Sequence, residues 1–381
     1  MAKYSLLKQK LPAQGRIDLQ AVKEVQERFH HQGRGAISNP TGRFEVERKD
    51  GFDDGWDTIE DALPPLRTEL MAEKAKTIIT FNQSPDISFD RSINPYRGCE
   101  HGCVYCFARP SHSYHGLSPG LDFESRLFYK PNAPELLRTE LSKPNYKPRP
   151  IALGINTDAY QPIERKTELT RRLIEILAEH NHPVSFLTKS TLIQRDIDLI
   201  APMAAKGLAR VGVSITTLDR KLARLMEPRA ATPSKRLETV TALSQAGIPV
   251  IIMNAPIIPA LNAHEIESVL EAACEAGAHS AGYVMLRLPF ELKDLFHEWL
   301  AQHYPDRSAR IINHLRDMRG GKDYDARWFE RGRGKGAYAE LVAQRFQKAL
   351  KRLNLVSSRK PLRTDLFRPP LKSGDQMSLA L

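Results

Sequence analysis

An alternation of short apolar runs with amphipathic helical patterns is the feature that most restricts the fold of this chain. The predicted strands are Phe89–Tyr96, Ile151–Ile155, Val184–Leu187, Val211–Ile215, Val250–Met253 and Tyr283–Leu288. Helical patterns lie between them, as over residues 169–177, where apolar side chains recur at i, i+4, i+7 and i+8. Strands that alternate with helices predict an α/β fold with a parallel sheet and right-handed crossovers. Six strands suffice for a partial (β/α)6 barrel but not for a closed eight-stranded one.

The pattern also predicts how the 381 residues are divided. Residues 1–78 form an N-terminal extension, with a charged, partly helical stretch over Asp18–His31. Residues 79–300 form the core barrel, and residues 301–356 form a helical C-terminal region. Residues 357–381 are polar and rich in proline, which predicts a flexible tail.

Charge and cysteine content restrict the class of protein further. The net charge of +11 suits a polyanionic partner such as nucleic acid, although a solvated basic surface explains it equally well. Four cysteines in so long a chain do not form a disulfide scaffold. No secretory signal and no apolar run of membrane-spanning length is visible, so we expect a cytoplasmic protein that does not bind a membrane.

Three of the cysteines, Cys99, Cys103 and Cys106, fall within one loop that follows the first predicted strand. At this spacing three thiolates can bind three irons of one cubane cluster and leave the fourth iron open for a small molecule. Gly98 and Gly102 allow the chain to bend around such a cluster. The alternative is a structural zinc ion with a nearby histidine as fourth ligand, His101, His112 or His115.

The loop resembles the radical S-adenosylmethionine (SAM) superfamily, whose motif has three cysteines at these spacings and an aromatic residue before the last one. Tyr105 is that residue here, and the surrounding Asn94–Arg109 is similar to the spore-photoproduct-lyase-related branch, often called DNA repair photolyase-like. The resemblance implies a [4Fe–4S] cluster and SAM as cofactors. It also implies an electron donor such as flavodoxin or ferredoxin, and a 5′-deoxyadenosyl radical that abstracts hydrogen from the substrate.

Polar residues that follow the predicted strands are candidates for SAM binding. Many superfamily members have Gly-Gly-Glu after the second strand, whereas this chain has Asn156–Glu164. There Asp158 is a candidate acceptor for the SAM ammonium, or a simple helix cap. Lys189 follows the third strand and either pairs with the SAM carboxylate or extends to solvent. By resemblance, Ser214 and Thr216 contact the SAM ribose or carboxylate; otherwise they are ordinary strand residues.

Later candidates follow the last two strands. Asn254 and Arg287 are expected in the pocket, and Arg287 has two further interpretations, a structural role or binding of a substrate phosphate. Cys274 lies on a helical pattern and is expected to be a small buried hydrophobic side chain. Spore photoproduct lyase itself uses a cysteine outside the cluster loop to return a hydrogen atom, so its repair reaction is not transferred to this chain.

Two C-terminal segments point to partners. Residues Gln376–Leu381 resemble the short peptides with which bacterial proteins dock on the DNA sliding clamp, or else they are an uninformative end. The turn Arg331–Gly336 could contact nucleic-acid phosphates, or be a solvated hairpin. Three hypotheses remain: a radical SAM enzyme acting on DNA or RNA, in repair or modification, a non-catalytic zinc- or cluster-bearing nucleic-acid-binding protein, and a radical SAM enzyme acting on a protein or metabolite.

Overall fold

The computed structural model describes residues 33–45, 66–356 and 360–370. Its strands form a large sheet and a small one. They are β1 (Glu69–Ala72), β2 (Ile79–Phe81), β3 (Arg91–Ile93), β4 (Tyr96–Arg97), β5 (Arg126–Tyr129), β6 (Ile151–Leu153), β7 (Val184–Thr188), β8 (Ala209–Ser214), β9 (Val250–Ile257) and β10 (Ser280–Met285).

The large sheet has the order β10-β9-β8-β7-β6-β3-β2. Strands β3 and β6 to β10 are parallel to one another, and β2 pairs antiparallel with β3 at one edge. Each of the six predicted strands overlaps one of these parallel strands, because buried parallel strands consist of almost continuous apolar runs. The two edge strands, β2 and β10, do not pair with each other in the described residues, so the sheet stays open. The predicted α/β class and partial six-stranded barrel are confirmed.

Helices connect the parallel strands and cover the sheet. The α-helices of the described residues are α1 (Asp122–Ser125), α2 (Ala133–Leu141), α3 (Glu164–Thr167), α4 (Leu169–Glu179), α5 (Ile197–Ala205), α6 (Arg220–Met226), α7 (Pro233–Gln245), α8 (Ile266–Glu275), α9 (Leu292–His303), α10 (Pro305–Asp317) and α11 (Gly336–Arg352). Helix α4 buries Leu169, Leu173 and Leu177, as its spacing predicts. Thr232 caps α7, and Pro233 begins it, which is the preferred place for proline.

The small sheet has the order β1-β5-β4 and carries the cysteine loop. Strand β5 pairs parallel with β1 and antiparallel with β4, and the loop begins directly after β4. Because β3 runs into β4, the cysteines lie at the carboxyl end of the first parallel strand. That end of a parallel sheet is where ligands bind in open α/β folds.

The C-terminal region crosses the open side of the large sheet. The main-chain N–H of Met285, at the end of β10, donates to the carbonyl oxygen of Gly332 at 2.9 Å. On the opposite edge, Arg331 forms an ion pair with Asp86, which lies between β2 and β3. The segment around Arg331 therefore joins the two edges that the sheet leaves unpaired.

Some predictions fall on residues that the structure does not describe. The helical stretch Asp18–His31 and the clamp-docking peptide Gln376–Leu381 lie outside the described residues and stay predictions. The division into four parts also stays a prediction. Helix α9 is an addition that the sequence pattern did not predict. None of the described helices is both long enough and apolar enough to span a bilayer.

Candidate cofactor-binding site

The three cysteines of the loop are free thiols. Cys99 and Cys103 are buried, and Cys106 is half-buried. Main-chain hydrogen bonds fix the loop: the N–H of Cys99 donates to the carbonyl oxygen of Phe123 at 2.9 Å, and that of Val104 donates to Met226 at 3.0 Å. The backbone thus holds the thiols in place through partners outside the loop.

Burial makes the free thiolates of this loop costly. It raises the pKa of all three thiols, and for Cys99 the neighbouring charges of Asp158, Cys103 and Cys106 raise it further. The positive charge of Lys189 acts in the opposite direction on the pKa of Cys103 and of Cys106. Buried thiols that face one another need a bound cation to ionise, so this donor set fits an iron–sulfur cluster.

Two of the three histidines near the cysteines have polar contacts elsewhere, whereas the buried Nε2 of His115 has no hydrogen-bond partner. His101 lies with its Nδ1 3.4 Å from a carboxylate oxygen of Asp158, and the Nε2 of His112 is 2.9 Å from the carbonyl oxygen of Arg126. Among the described residues, no group of three or more His, Cys, Asp or Glu could hold a single metal ion. A structural zinc ion needs four ligands around one point, whereas a cluster takes each thiolate on a different iron. The geometry gives the zinc alternative no support.

A buried ion pair organises the inner side of the loop. Arg109 is fully buried, donates to the carbonyl oxygens of Cys103 at 2.9 Å and Gly102 at 3.2 Å, and pairs with Glu124. Glu124 also accepts the main-chain N–H of Gly35 at 2.9 Å. A Cβ atom on Gly35 would lie 1.8 Å from the carbonyl oxygen of Gly102, so this contact requires glycine. Part of the N-terminal segment is therefore built against the cysteine loop.

The segment after β6 holds the outer side of the loop. Thr157 donates its hydroxyl to the carbonyl oxygen of Tyr96 at 2.9 Å. The amide of Gln161 donates to the carbonyl oxygen of Gly98 at 3.2 Å, and its oxygen accepts the N–H of Glu100 at 2.9 Å. These side chains satisfy main-chain groups on both sides of Cys99.

Glu164 closes the same segment with a buried carboxylate. It accepts the hydroxyl of Tyr96 and the N–H of Thr170, the latter at 3.0 Å, and pairs with Arg195 at 2.7 Å. Desolvation and the charge of Glu164 raise the pKa of Tyr96 far above its usual range, so this phenol stays a hydrogen-bond donor. Strand β4, and with it the start of the loop, is anchored to α3 and α4.

Asp158 is in contact with the cysteine loop through His101. Its carboxylate also accepts the hydroxyl of Thr188 at 2.8 Å and the N–H groups of Lys189 at 2.8 Å and Tyr160 at 2.9 Å. Burial alone would raise the pKa of Asp158, but His101 and these hydrogen bonds lower it below its usual value. The four donors belong to the protein itself, and the role of Asp158 toward the SAM ammonium stays a prediction.

Tyr105 joins the loop to a buried polar network. Its hydroxyl donates to Glu227 and lies 3.1 Å from the hydroxyl of Thr216, which itself donates to Glu227 at 2.6 Å. Glu227 pairs with the buried Arg236. The ammonium of Lys189 lies 5.8 Å from the centre of the Tyr105 ring. Tyr105, Lys189 and Thr216, three predicted SAM-binding residues, therefore lie in one place.

The remaining candidates lie at the end of β8, within β9 and after β10. Ser214 is buried as the last residue of β8. Asn254 is buried in β9 and donates its amide to the carbonyl oxygen of Ile215 at 2.9 Å, while its own Oδ1 has no partner. Arg287 follows β10 and places its guanidinium 5.2 Å from the centre of the Phe107 ring, next to Cys106. The structure thus brings predicted residues from five strands, β6 to β10, to the cysteine end of the sheet.

Sequence reasoning missed several residues that hold the loop. Arg109, Glu124, Glu227 and Arg236 are the buried ion-paired residues, and no local pattern distinguishes them. Gln161 lies within the segment singled out after β6, but its contacts to the loop are not visible in the sequence. Glu227 lies between Arg224 and Arg229 in the sequence, so its charge gives no local signal that it is buried.

Residues 93–273 match the radical SAM superfamily. The match spans just under half of the chain, and over this range the sequence is similar to that superfamily. The similarity implies an iron–sulfur cluster and SAM as cofactors, and the matched range contains all three loop cysteines. The predicted resemblance is confirmed.

Proteins similar to this chain occur in bacteria and archaea. An uncharacterized protein of Mycobacterium tuberculosis is 38% identical over 226 residues, which are 59% of this chain and 66% of the relative. The match therefore spans just under two thirds of the mycobacterial protein. An uncharacterized protein of Methanocaldococcus jannaschii is 28% identical over 247 residues, 65% of this chain and 88% of the relative.

Solved structures of spore photoproduct lyase share the fold. The lyase complexed with dinucleoside spore photoproduct has a TM-score of 0.53 and 14% sequence identity, over 74% of this chain and 79% of that one. A likeness at this identity concerns the fold.

Cys274, the free cysteine outside the loop, lies on α8 with its Sγ 3.6 Å from the carbonyl oxygen of Leu353. It is half-buried and faces α11 rather than the cysteine end of the sheet.

Proposed function

We propose that this chain is a radical SAM enzyme that binds a [4Fe–4S] cluster through Cys99, Cys103 and Cys106 and acts on nucleic acid. The observation that carries the proposal is the position of three free thiols, two buried and one half-buried, on one loop at the carboxyl end of β3. When bound and reduced, the cluster supplies the electron that cleaves SAM to methionine and a 5′-deoxyadenosyl radical, which abstracts hydrogen from the substrate. A flavodoxin or ferredoxin is the expected electron donor.

The residues that would hold the cofactors lie at the carboxyl end of the sheet. Cys99, Cys103 and Cys106 would bind the cluster as three protein ligands, which would leave room for SAM as a further ligand. The unpartnered Oδ1 of Asn254 can accept an N–H of SAM, since a buried acceptor without a partner is costly. Lys189 has a charge suited to the SAM carboxylate, and Ser214, the last residue of β8, and Thr216, two residues later, are both buried polar candidates. Tyr105, held by Glu227, excludes water between the loop and β8.

Nucleic acid is proposed as substrate from charge. The chain carries a net charge of +11, and no ion pair is formed by Lys189 or Arg287 within the described ranges. Both cations lie at the end of the sheet where a substrate must approach the cofactors. The turn Arg331–Gly336 adds positive charge, although Arg331 and Lys335 are paired with Asp86 and Glu330.

The deciding experiment is anaerobic. Iron and sulfide are reconstituted, dithionite and SAM are added, and 5′-deoxyadenosine is quantified with and without single-stranded DNA or RNA. Cys106→Ala is the test variant and Cys274→Ala the matched control, because both remove one free thiol and only the first lies in the loop. We expect deoxyadenosine from the wild type and Cys274→Ala but none from Cys106→Ala. A fully loaded wild-type protein that makes none would contradict radical chemistry.

A further inference from the structure

Four exposed aromatic side chains surround the cysteine end of the sheet. Their exposed fractions are 54% for Phe44, 42% for Phe107, 69% for Tyr114 and 65% for Phe290. Phe107 follows the last loop cysteine, Tyr114 lies in the short 3-10 helix Arg109–His115 and Phe290 follows β10, so all three leave the carboxyl end of the parallel strands. We call these four side chains the aromatic rim. Rings so exposed bury little apolar surface and do not serve the core.

Part of the aromatic rim is fixed in position. Phe44 and Tyr114 stack with their ring centres 5.1 Å apart, and the guanidinium of Arg43 lies 3.9 Å from the centre of Phe290 and 5.3 Å from that of Phe44. Arg43 is neutralised by Glu291 at 2.6 Å. This cation therefore spaces the rings, and its charge is already balanced by the protein.

The cation beside Phe107 is different. Arg287 lies over the Phe107 ring, has one terminal nitrogen 3.5 Å from the hydroxyl of Tyr324, and keeps a buried Nε without a hydrogen-bond partner. It forms no ion pair in the part of the chain that the structure describes. The nearby carboxylate of Asp86 is engaged by Arg331 instead. An unneutralised guanidinium against an exposed ring offers a charge and a stacking face together.

We propose that the aromatic rim binds an unpaired nucleic-acid strand, with bases stacked on its rings and a backbone phosphate on Arg287. The inference deepens the proposed function and takes nucleic acid as substrate class from it. Bases stack on aromatic faces only where they are not paired and stacked in a duplex, which selects a single strand or an extruded base. A base on Phe107 lies beside Cys106, where the radical reaction takes place. Aromatic faces beside a free guanidinium favour this occupant over an acidic peptide, which needs cations alone.

The aromatic rim has a matched control at the other end of the sheet. Phe81 is 64% exposed and lies 5.3 Å from the guanidinium of Arg91, so it resembles Phe290 in type, exposure and neighbour. It pairs with Arg91 at the amino end of β3, opposite the cysteines. Phe290→Ala and Phe81→Ala therefore remove the same ring from opposite ends of one sheet.

Binding is measured by fluorescence anisotropy of a labelled oligothymidylate on anaerobically reconstituted full-length protein, in a salt series. We expect Phe290→Ala to weaken affinity by roughly fivefold to a hundredfold, the range for loss of one stacked base, and Phe81→Ala to leave it unchanged. Arg287→Gln should weaken binding and reduce the slope of log affinity against log salt by about 0.7, the value for one phosphate on a single strand. A duplex of the same length should bind more weakly and respond less to Phe290→Ala.

Two results would overturn the inference. The first is unchanged oligothymidylate binding by both Phe290→Ala and Tyr114→Ala, at wild-type iron content. The second is that these variants lose affinity only for an acidic polyglutamate probe, which would make the aromatic rim a protein-docking surface. Cys106→Ala separates this test from that of the proposed function, because it should lose deoxyadenosine formation and keep strand binding. If the fully loaded wild-type protein binds the strand but forms no deoxyadenosine, the radical chemistry is contradicted, whereas the inference about the aromatic rim still holds.

Discussion

Two regions flank the same site: the segment after β6, and strand β9 together with the residues that follow β10. They differ in whether their polar side chains have hydrogen-bond partners within the protein. In the first region, Thr157, Asp158, Gln161 and Glu164 all have partners within the protein, most of them in or next to the cysteine loop. The exception in this segment is the hydroxyl of Tyr160, which lies near Asp196 rather than the loop. In the second region, Asn254 keeps a buried oxygen and Arg287 a buried nitrogen without partners.

This difference separates support from recognition. A buried polar group without a partner costs free energy, so it persists where a ligand completes it. A fully satisfied group has little left to offer a ligand and instead fixes the backbone. We therefore expect the first region to set stability and cluster loading, and the second to set the affinity for SAM and substrate.

The largest test of this division is Glu164→Ala. Removing the carboxylate takes one partner from the buried hydroxyl of Tyr96, which retains Thr167, and one from Arg195, which retains Asp196. It also removes the carboxylate that accepts the buried N–H of Thr170. We expect a loss of about 3 kcal/mol in the free energy of unfolding, together with reduced iron content. Chemical denaturation and iron analysis measure both effects. Glu164→Gln keeps an acceptor of the same shape and should lose less; an equal loss would show that the charge alone matters.

A pH titration tests a buried group at the amino end of the sheet, away from the cysteine loop, through His182, which lies just before β7. Burial lowers the pKa of His182 to about 3, and the Nε2 of the ring lies 2.7 Å from the hydroxyl of Tyr146. Because the folded pKa lies below the unfolded value near 6.5, the stability contributed by neutral His182 is present above pH 6.5 and lost as pH falls. The expected loss is about 1.4 kcal/mol per pH unit below that value.

His182→Gln is the control for this titration, since glutamine does not ionise. Denaturation curves at neutral and mildly acidic pH should show a smaller pH dependence for His182→Gln than for the wild type. Equal pH dependence of the two proteins would show that His182 does not contribute to the loss of stability at acidic pH. His112, whose pKa burial lowers to about 4, adds a similar dependence to both proteins.

The sequence allows the strands and the cysteine loop to be predicted, but not the long-range hydrogen bonds that hold the site together. Apolar runs such as Val184–Leu187 mark parallel strands because burial on both faces demands continuous apolar sequence. The spacing of the cysteines is equally local. By contrast, Gln161 meets Gly98 across 63 positions and Glu227 meets Tyr105 across 122, and no periodicity encodes such contacts. The aromatic rim escaped detection for the same reason, since its four rings come from separate segments.

Gln161→Ala sharpens the comparison on the supporting side. It removes the partners of the carbonyl of Gly98 and the N–H of Glu100, both next to Cys99. We expect a loss of about 1–3 kcal/mol in unfolding free energy and faster loss of the cluster, because both main-chain groups are buried. The Kd for SAM, measured by calorimetry on fully loaded protein, should be unchanged. A large change in that Kd at full loading would contradict the division.

Asn254→Leu is expected to have the opposite effect to Gln161→Ala: it should change the Kd for SAM and have the smallest effect on stability. The leucine is close in size to asparagine and removes the unpartnered oxygen, which offsets the lost hydrogen bond to the carbonyl of Ile215. We expect the unfolding free energy to change by less than about 1 kcal/mol while the Kd for SAM rises about tenfold, the effect of losing one good hydrogen bond. The same calorimetry and denaturation experiments measure both. An unchanged Kd would assign the free oxygen of Asn254 to the substrate, whereas a loss of stability comparable with that of Gln161→Ala would place Asn254 among the supporting residues.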